Sequence, residues 1–133
     1  MLKTTSSTLI RTPNKIKLGR KGEKIAQKYL KKIGYKIIQK NYSTKKGEID
    51  LIMRQDDTVV FIEVKTRQTD DFAPGELAVN FHKQKHITAT ARLFIQKYNL
   101  YDFPCRFDVV AVTLPPTGKP EIRHYQNSFV PTK

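Results

Sequence analysis

The chain has 133 residues, 38% of them hydrophobic, with seven Phe, six Tyr and a single Cys. That suffices for one domain with a modest core, and it excludes a disordered chain, an internal disulfide framework and an apolar run able to span a bilayer. Net charge is +13 and uneven: residues 1–50 hold 14 Lys/Arg against three Asp/Glu, whereas residues 51–133 hold 11 against nine.

Met1 to about Lys17 is rich in Ser, Thr and Lys, without the apolar core and small-residue cleavage site of a secretory signal. It reads as a basic, mobile tail. From about Leu18 to Ile33, Ile25, Ala26, Tyr29, Leu30 and Ile33 recur at helical spacing, and Lys21, Lys24, Lys28, Lys31 and Lys32 fall mostly outside. Gly34 supplies the stop. Tyr35 to Tyr42 reads as a first strand, with Tyr35, Ile37 and Gln39 alternating against Lys36, Ile38 and Lys40.

The Ser43–Gly47 turn leads into a strand carrying Asp50, and Gln55-Asp56-Asp57-Thr58 is short and polar, as a hairpin connection should be. Val59 to Lys65 is the next strand. A polar loop from Arg67 through Pro74 leads to a long helix from about Gly75 to Tyr98, with Leu77, Phe81, Ile87, Ala91, Phe94 and Ile95 as expected core positions. Arg106 to Leu114 is a fourth strand, Pro115–Gly118 a turn, and Glu121 to Tyr125 a short edge strand. The order predicts one α/β domain over residues 18–125, an αβββαβ core with a mixed sheet flanked by helices, followed by a C-terminal tail at 126–133.

Residues 47–67, GEIDLIMRQDDTVVFIEVKTR, carry the chemistry. Side chains alternate along a strand, so Glu63 and Lys65 share one face while Val60, Ile62 and Val64 take the other. Asp50 is expected on the face opposite Ile49 and Leu51, and antiparallel pairing would bring Asp50 and Glu63 to one patch. Two carboxylates at 4 Å repel by roughly 4 kcal/mol at an effective dielectric of 20, so a proton, a cationic side chain or a metal must offset them. Oxygen ligands favour a hard cation, Mg²⁺ or Mn²⁺, which lowers the pKa of bound water and stabilises charge on phosphoryl oxygens. Lys65 could orient that water or contact a phosphate. The plainer alternative is a Glu63–Lys65 charge network on a solvated face.

Gly19-x-x-Gly22-Glu23-x-x-Ala26-x-x-Tyr29-Leu30, Gly34-Tyr35, Gly47-Glu48-Ile49-Asp50-Leu51-Ile52, Val60-Phe61-Ile62-Glu63-Val64-Lys65-x-Arg67 and Arg106-Phe107-Asp108-Val109-Val110 together resemble the YraN-like family of bacterial proteins. That family is assigned to the restriction-endonuclease-like PD-(D/E)XK nucleases and is similar to archaeal Holliday-junction resolvases. The resemblance spans about residues 18 to 114, with one departure from the superfamily pattern: Ile49, not Pro, precedes Asp50. It implies Asp50, Glu63 and Lys65 as catalytic residues, joined by Glu23 as a helical acid that binds metal through water or receives a proton. Asp50, Glu63 and the main-chain carbonyl of Val64 would hold Mg²⁺ or Mn²⁺. Junction resolvases act as dimers, so the resemblance also allows a homodimer.

The positive field supplies the partner, a nucleic acid and by the resemblance DNA, held through phosphate neutralisation and counterion release. Lys21, Lys24, Lys45 and Lys46 are the expected backbone contacts, with Arg67 as a bidentate fork on phosphate and Lys83 and Lys85 on the second helix. Ordinary surface charge is the plainer reading for the helix lysines. Arg106 and Asp108 share a strand face and fit an internal ion pair. His82 and His86 lie four apart, yet without a third ligand they make a weak zinc site. The lone Cys105 suits a reducing, cytoplasmic compartment. The expectation is a metal-dependent endonuclease acting on DNA, including branched DNA. The alternative is a non-catalytic nucleic-acid-binding or DNA-processing accessory protein on the same fold.

Overall fold

Five strands form one mixed sheet in chain order, and only the third and fourth run parallel. The computed structural model describes residues 3–69, 72 and 76–130, with side chains from residue 15 onward. Its elements are α1 Lys3–Lys32, β1 Lys36–Thr44, β2 Gly47–Gln55, β3 Thr58–Arg67, α2 Phe81–Tyr98, β4 Cys105–Thr113 and β5 Glu121–Phe129. A parallel pair cannot be joined by a tight turn, so α2 provides the crossover between β3 and β4. This is the expected αβββαβ order with a fifth strand added, consistent with a restriction-endonuclease-like α/β core. Among the described residues no helix is long and apolar enough to cross a membrane.

The sheet buries both faces. Ile49, Ile52, Val59, Phe61, Phe107 and Val109 pack with Ile87, Ala91 and Phe94 of α2. Leu51, Met53, Val60, Ile62, Val110 and Val112 pack with Ala26 and Leu30 of α1 on the other side. Gly22, Ala26 and Leu30 follow at four-residue spacing along α1, and a side chain at Gly22 would overlap Thr66 of β3. Glycine there lets the helix lie close against the sheet. Gly34, at φ 102°, turns the chain out of α1 into β1, a left-handed conformation that only glycine adopts freely.

Several boundaries differ from expectation. The first helix starts at Lys3 rather than near Leu18, passing through Pro13, which lacks the N–H that would bond Leu9. The second starts at Phe81, because the Asn80 side chain accepts from the Lys83 N–H at 2.8 Å and caps the first turn. Glu76–Ala78 are turn and bend, and the expected boundary at Pro74 and Gly75 lies outside the described residues. Phe81 is consequently 66% exposed instead of in the core. The last strand continues to Phe129, whose ring stacks on Phe107 at 4.7 Å, so residues 126–129 belong to the sheet rather than to a tail.

Asn41 breaks the β1 alternation. Lys40 pairs with Leu51 and Tyr42 with Ile49, but Asn41 takes the left-handed conformation (φ 48°) opposite Asp50 and makes no ladder pair. Ile49 therefore packs on the α2 side and Leu51 on the α1 side, not on one shared face as expected. The change of face falls at Asp50.

Candidate active site

The β2–β3 hairpin turns at Asp56 and Asp57, as the polar stretch predicts, and its ladder closes at Leu51 opposite Ile62. One more step in that register sets Asp50 against Glu63. Released from the ladder, Asp50 accepts the Val64 N–H through Oδ2 at 2.8 Å. A strand residue points its N–H and C=O to the same edge, so the Val64 carbonyl also faces the Asp50 side. Glu23 approaches from α1, and its Oε1 accepts from Asn41 Nδ2 at 3.0 Å. Glu63 of β3 and Glu23 of α1 thus both act on Asp50 of β2.

Their coupling shows at Asp50. Burial, followed by the negative charge of Glu63, pushes its carboxyl up to about 7, with Glu23 adding to the rise. The Val64 N–H and the Lys83 ammonium oppose it. Lys83 reaches Glu63 Oε2 from the first turn of α2, and the Glu63 side chain is only 10% exposed. Lys65 is held next to this group by its Nζ, which donates to the main-chain carbonyl of Glu76 at 2.8 Å. Burial lowers the Lys65 ammonium, while Glu63 counteracts and Lys83 and Arg67 reinforce the fall.

The expected phosphate contacts divide into two groups. Lys21 and Lys24 are exposed on α1, and Lys45 and Lys46 are exposed at the β1–β2 turn. Arg67, Lys83 and Lys85 have intramolecular partners. Arg67 pairs with Glu76, donates to the Thr66 carbonyl at 3.1 Å and stands 5.7 Å from the Phe72 ring. Lys83 pairs with Glu63, and Lys85 lies 5.7 Å from the Phe81 ring. Glu48 is exposed at the start of β2 and takes no part in the cluster.

His82 and His86 meet through their Nε2 atoms at 3.1 Å, and His86 Nδ1 donates to the Lys46 carbonyl at 2.7 Å, tying α2 to the β1–β2 turn. Cys105 is half-buried, and that burial raises its thiol, which makes it a poor nucleophile.

Arg106 and Asp108 form the expected ion pair, with Nε 3.0 Å from Oδ1, inside a larger buried network. Asp108 also accepts from His124 Nε2 at 2.7 Å and from the Asn127 N–H at 3.0 Å. Arg106 donates to Gln55 at 2.7 Å and to the Tyr35 hydroxyl at 2.6 Å. Burial alone would raise the Asp108 carboxyl, but the bonds from His124, Arg106 and Asn127 prevail and hold it below the usual carboxylate range.

Sequence reasoning missed Asn41 and the partners Tyr35, Gln55 and His124. An Asn within a strand is the one available signal, since it tolerates the left-handed conformation.

Among the described residues no group of three or more His, Cys, Asp or Glu side chains is arranged to hold a metal ion. Mg²⁺, however, commonly uses one or two carboxylates and keeps several waters. Asp50 and Glu63 are an all-oxygen pair, and burial together with the Glu63 charge holds a proton on Asp50 to near neutrality, so these residues fit a hard cation.

The family model described as "Uncharacterised protein family UPF0102" matches residues 22–112. This chain is 43% identical over 118 residues to a UPF0102 protein of Caldanaerobacter subterraneus subsp. tengcongensis, covering 87% of this chain and 97% of the relative. It is 41% identical over 110 residues to one from Syntrophus aciditrophicus, covering 83% and 87%, and 40% identical over 116 residues to one from Geobacter sulfurreducens, covering 87% and 90%. The matched span includes Glu23, Asp50, Glu63, Lys65 and the Arg106–Asp108 pair. The chain belongs to the uncharacterised protein family UPF0102.

Proposed function

We propose that this chain is a metal-dependent endonuclease of the PD-(D/E)XK type that hydrolyses phosphodiester bonds in DNA, branched DNA included. The observation that carries this reading is the Asp50–Glu63 pair, joined by Glu23, in a chain of net charge +13. Asp50, Glu63 and the Val64 carbonyl would hold Mg²⁺ or Mn²⁺, which supplies a more acidic bound water and charge stabilisation on the phosphoryl oxygens. Lys65, fixed by Glu76, presents a cationic donor to a non-bridging phosphate oxygen. Glu23 would take the proton released as water attacks phosphorus, and a second water would protonate the leaving sugar oxygen as its P–O bond breaks. Lys21, Lys24, Lys45 and Lys46 neutralise flanking phosphates.

The Lys83–Glu63 ion pair favours a second reading. An ammonium in place of a metal would leave a non-catalytic nucleic-acid-binding or DNA-processing accessory protein on the same fold. A screen of branched, single-stranded and duplex DNA, with RNA counterparts, in Mn²⁺ and in EDTA separates the two. Metal-dependent cleavage of any DNA supports the first, and binding without cleavage across the panel supports the second.

A further inference from the structure

A cleft of about 950 Å³ opens between α1, Asn41 of β1 and the β4–β5 connection at Pro115 and Pro116. Five cations line it, Lys17, Arg20, Lys21, Lys24 and Lys40, and Glu23 is the one acid in its described lining. All five are exposed, and none forms an ion pair with a described residue. Glu23 belongs to the cleft and to the acid cluster alike, so the cleft ends where the chemistry is proposed to occur.

We propose that this cleft is a single-strand channel: it grips the phosphates of an unpaired nucleic-acid segment and leads that segment to Glu23. The inference rests on the nuclease reading for what happens at the acid cluster, and it assigns the substrate a single-stranded arm. Size decides between a single strand and a duplex. A volume of about 950 Å³ is too small to hold a double helix, whose single turn is about 34 Å long and whose major groove alone is about 12 Å wide and about 8.5 Å deep. A double helix cannot enter it. An extended strand can, with its phosphates on the lysine wall and its sugars and bases against Leu18, Pro115 and Pro116. No aromatic ring lines the cleft among the described residues, so the grip is on the backbone and is indifferent to sequence.

Fluorescence anisotropy of a labelled single-stranded oligonucleotide and of its duplex, both in EDTA, tests this. If five phosphates are neutralised, log affinity for the single strand falls with log salt at a slope near −3.5. Arg20→Gln/Lys40→Gln should make that slope shallower by about 1.4. Arg20→Glu/Lys40→Glu should weaken single-strand binding at least about tenfold, with duplex binding changed less than about twofold. Unchanged single-strand affinity, or an equal loss on duplex, overturns the channel. The neutral variant decides the matter if the charge-reversed one does not fold.

Cleavage in Mn²⁺ is scored separately on the same proteins. Selective loss of single-strand binding in a protein that cleaves nothing rejects the nuclease reading and keeps the channel. Cleavage together with unaltered single-strand binding in both double variants rejects the channel and keeps the nuclease reading.

Discussion

The Val64 N–H donates to Asp50 Oδ2 at 2.8 Å, and this bond fastens the acid of β2 to the strand that carries Glu63. Either protonation state of Asp50 offers an acceptor oxygen, so the carboxyl stays next to Glu63 whether charged or neutral. The repulsion it suffers is therefore built into the fold.

Asp50 should make the metal-free protein less stable as pH rises. With a folded value of about 7 against an ordinary 3.8, the folded chain keeps a proton that the unfolded chain has released. The stabilising contribution is complete below pH 3.8 and is lost as pH rises through about 7. Asp50→Asn, which retains an acceptor for Val64, should exceed the wild type at pH 8 by up to about 4 kcal/mol, with the gap closing toward pH 4. Chemical denaturation in EDTA across that range reads it directly.

Lys83 and a bound cation would compete for Glu63 Oε2. Lys83→Met should then bind Mn²⁺ about tenfold more tightly, adding about 1.4 kcal/mol of stabilisation at saturating metal. Thermal melts over a Mn²⁺ titration measure the difference. An unchanged response would mean that the metal does not use that oxygen.

The Asp108 network should behave in the opposite sense to Asp50. Its depressed carboxyl contributes stability above the ordinary Asp range that is lost as pH falls through the lower folded value. Asp108→Asn leaves the Arg106 charge without its partner and should cost about 3–5 kcal/mol, lowering the melting temperature by roughly 10 °C or more. The variant should also lose that part of the wild-type acid sensitivity.

Gly22 holds α1 against β3. A methyl there meets Thr66 Oγ1, Cγ2 and Cβ, so Gly22→Ala should destabilise by about 1–3 kcal/mol. Thr66→Ala in that background removes two of the three obstructing atoms and should restore part of the loss. Paired denaturation curves of the single and double variants show whether it does.

The meeting of Asp50 and Glu63 was legible because it depends on a local rule, the short polar turn that sets the β2–β3 register. Glu23 came from the family resemblance, since nothing local says which face of a lysine-rich helix meets the sheet. The left-handed Asn41 was not legible, and with it went the faces of Ile49 and Leu51. Asn80 caps α2 between the apolar Leu77-Ala78-Val79 and Phe81, where apolar spacing continues across the boundary, and this is why Phe81 is expected in the core. The engagement of Lys83, Lys65 and Arg67 by Glu63 and Glu76 depends on packing between distant segments. No spacing in the chain encodes it.

The most direct measurement is cleavage of a labelled branched DNA bearing single-stranded arms by the wild type, Asp50→Asn and Glu63→Gln in Mn²⁺. Circular dichroism on each protein verifies that all three are folded. The account predicts cleavage by the wild type that EDTA abolishes and that both variants lack. Cleavage retained in either folded variant would contradict it.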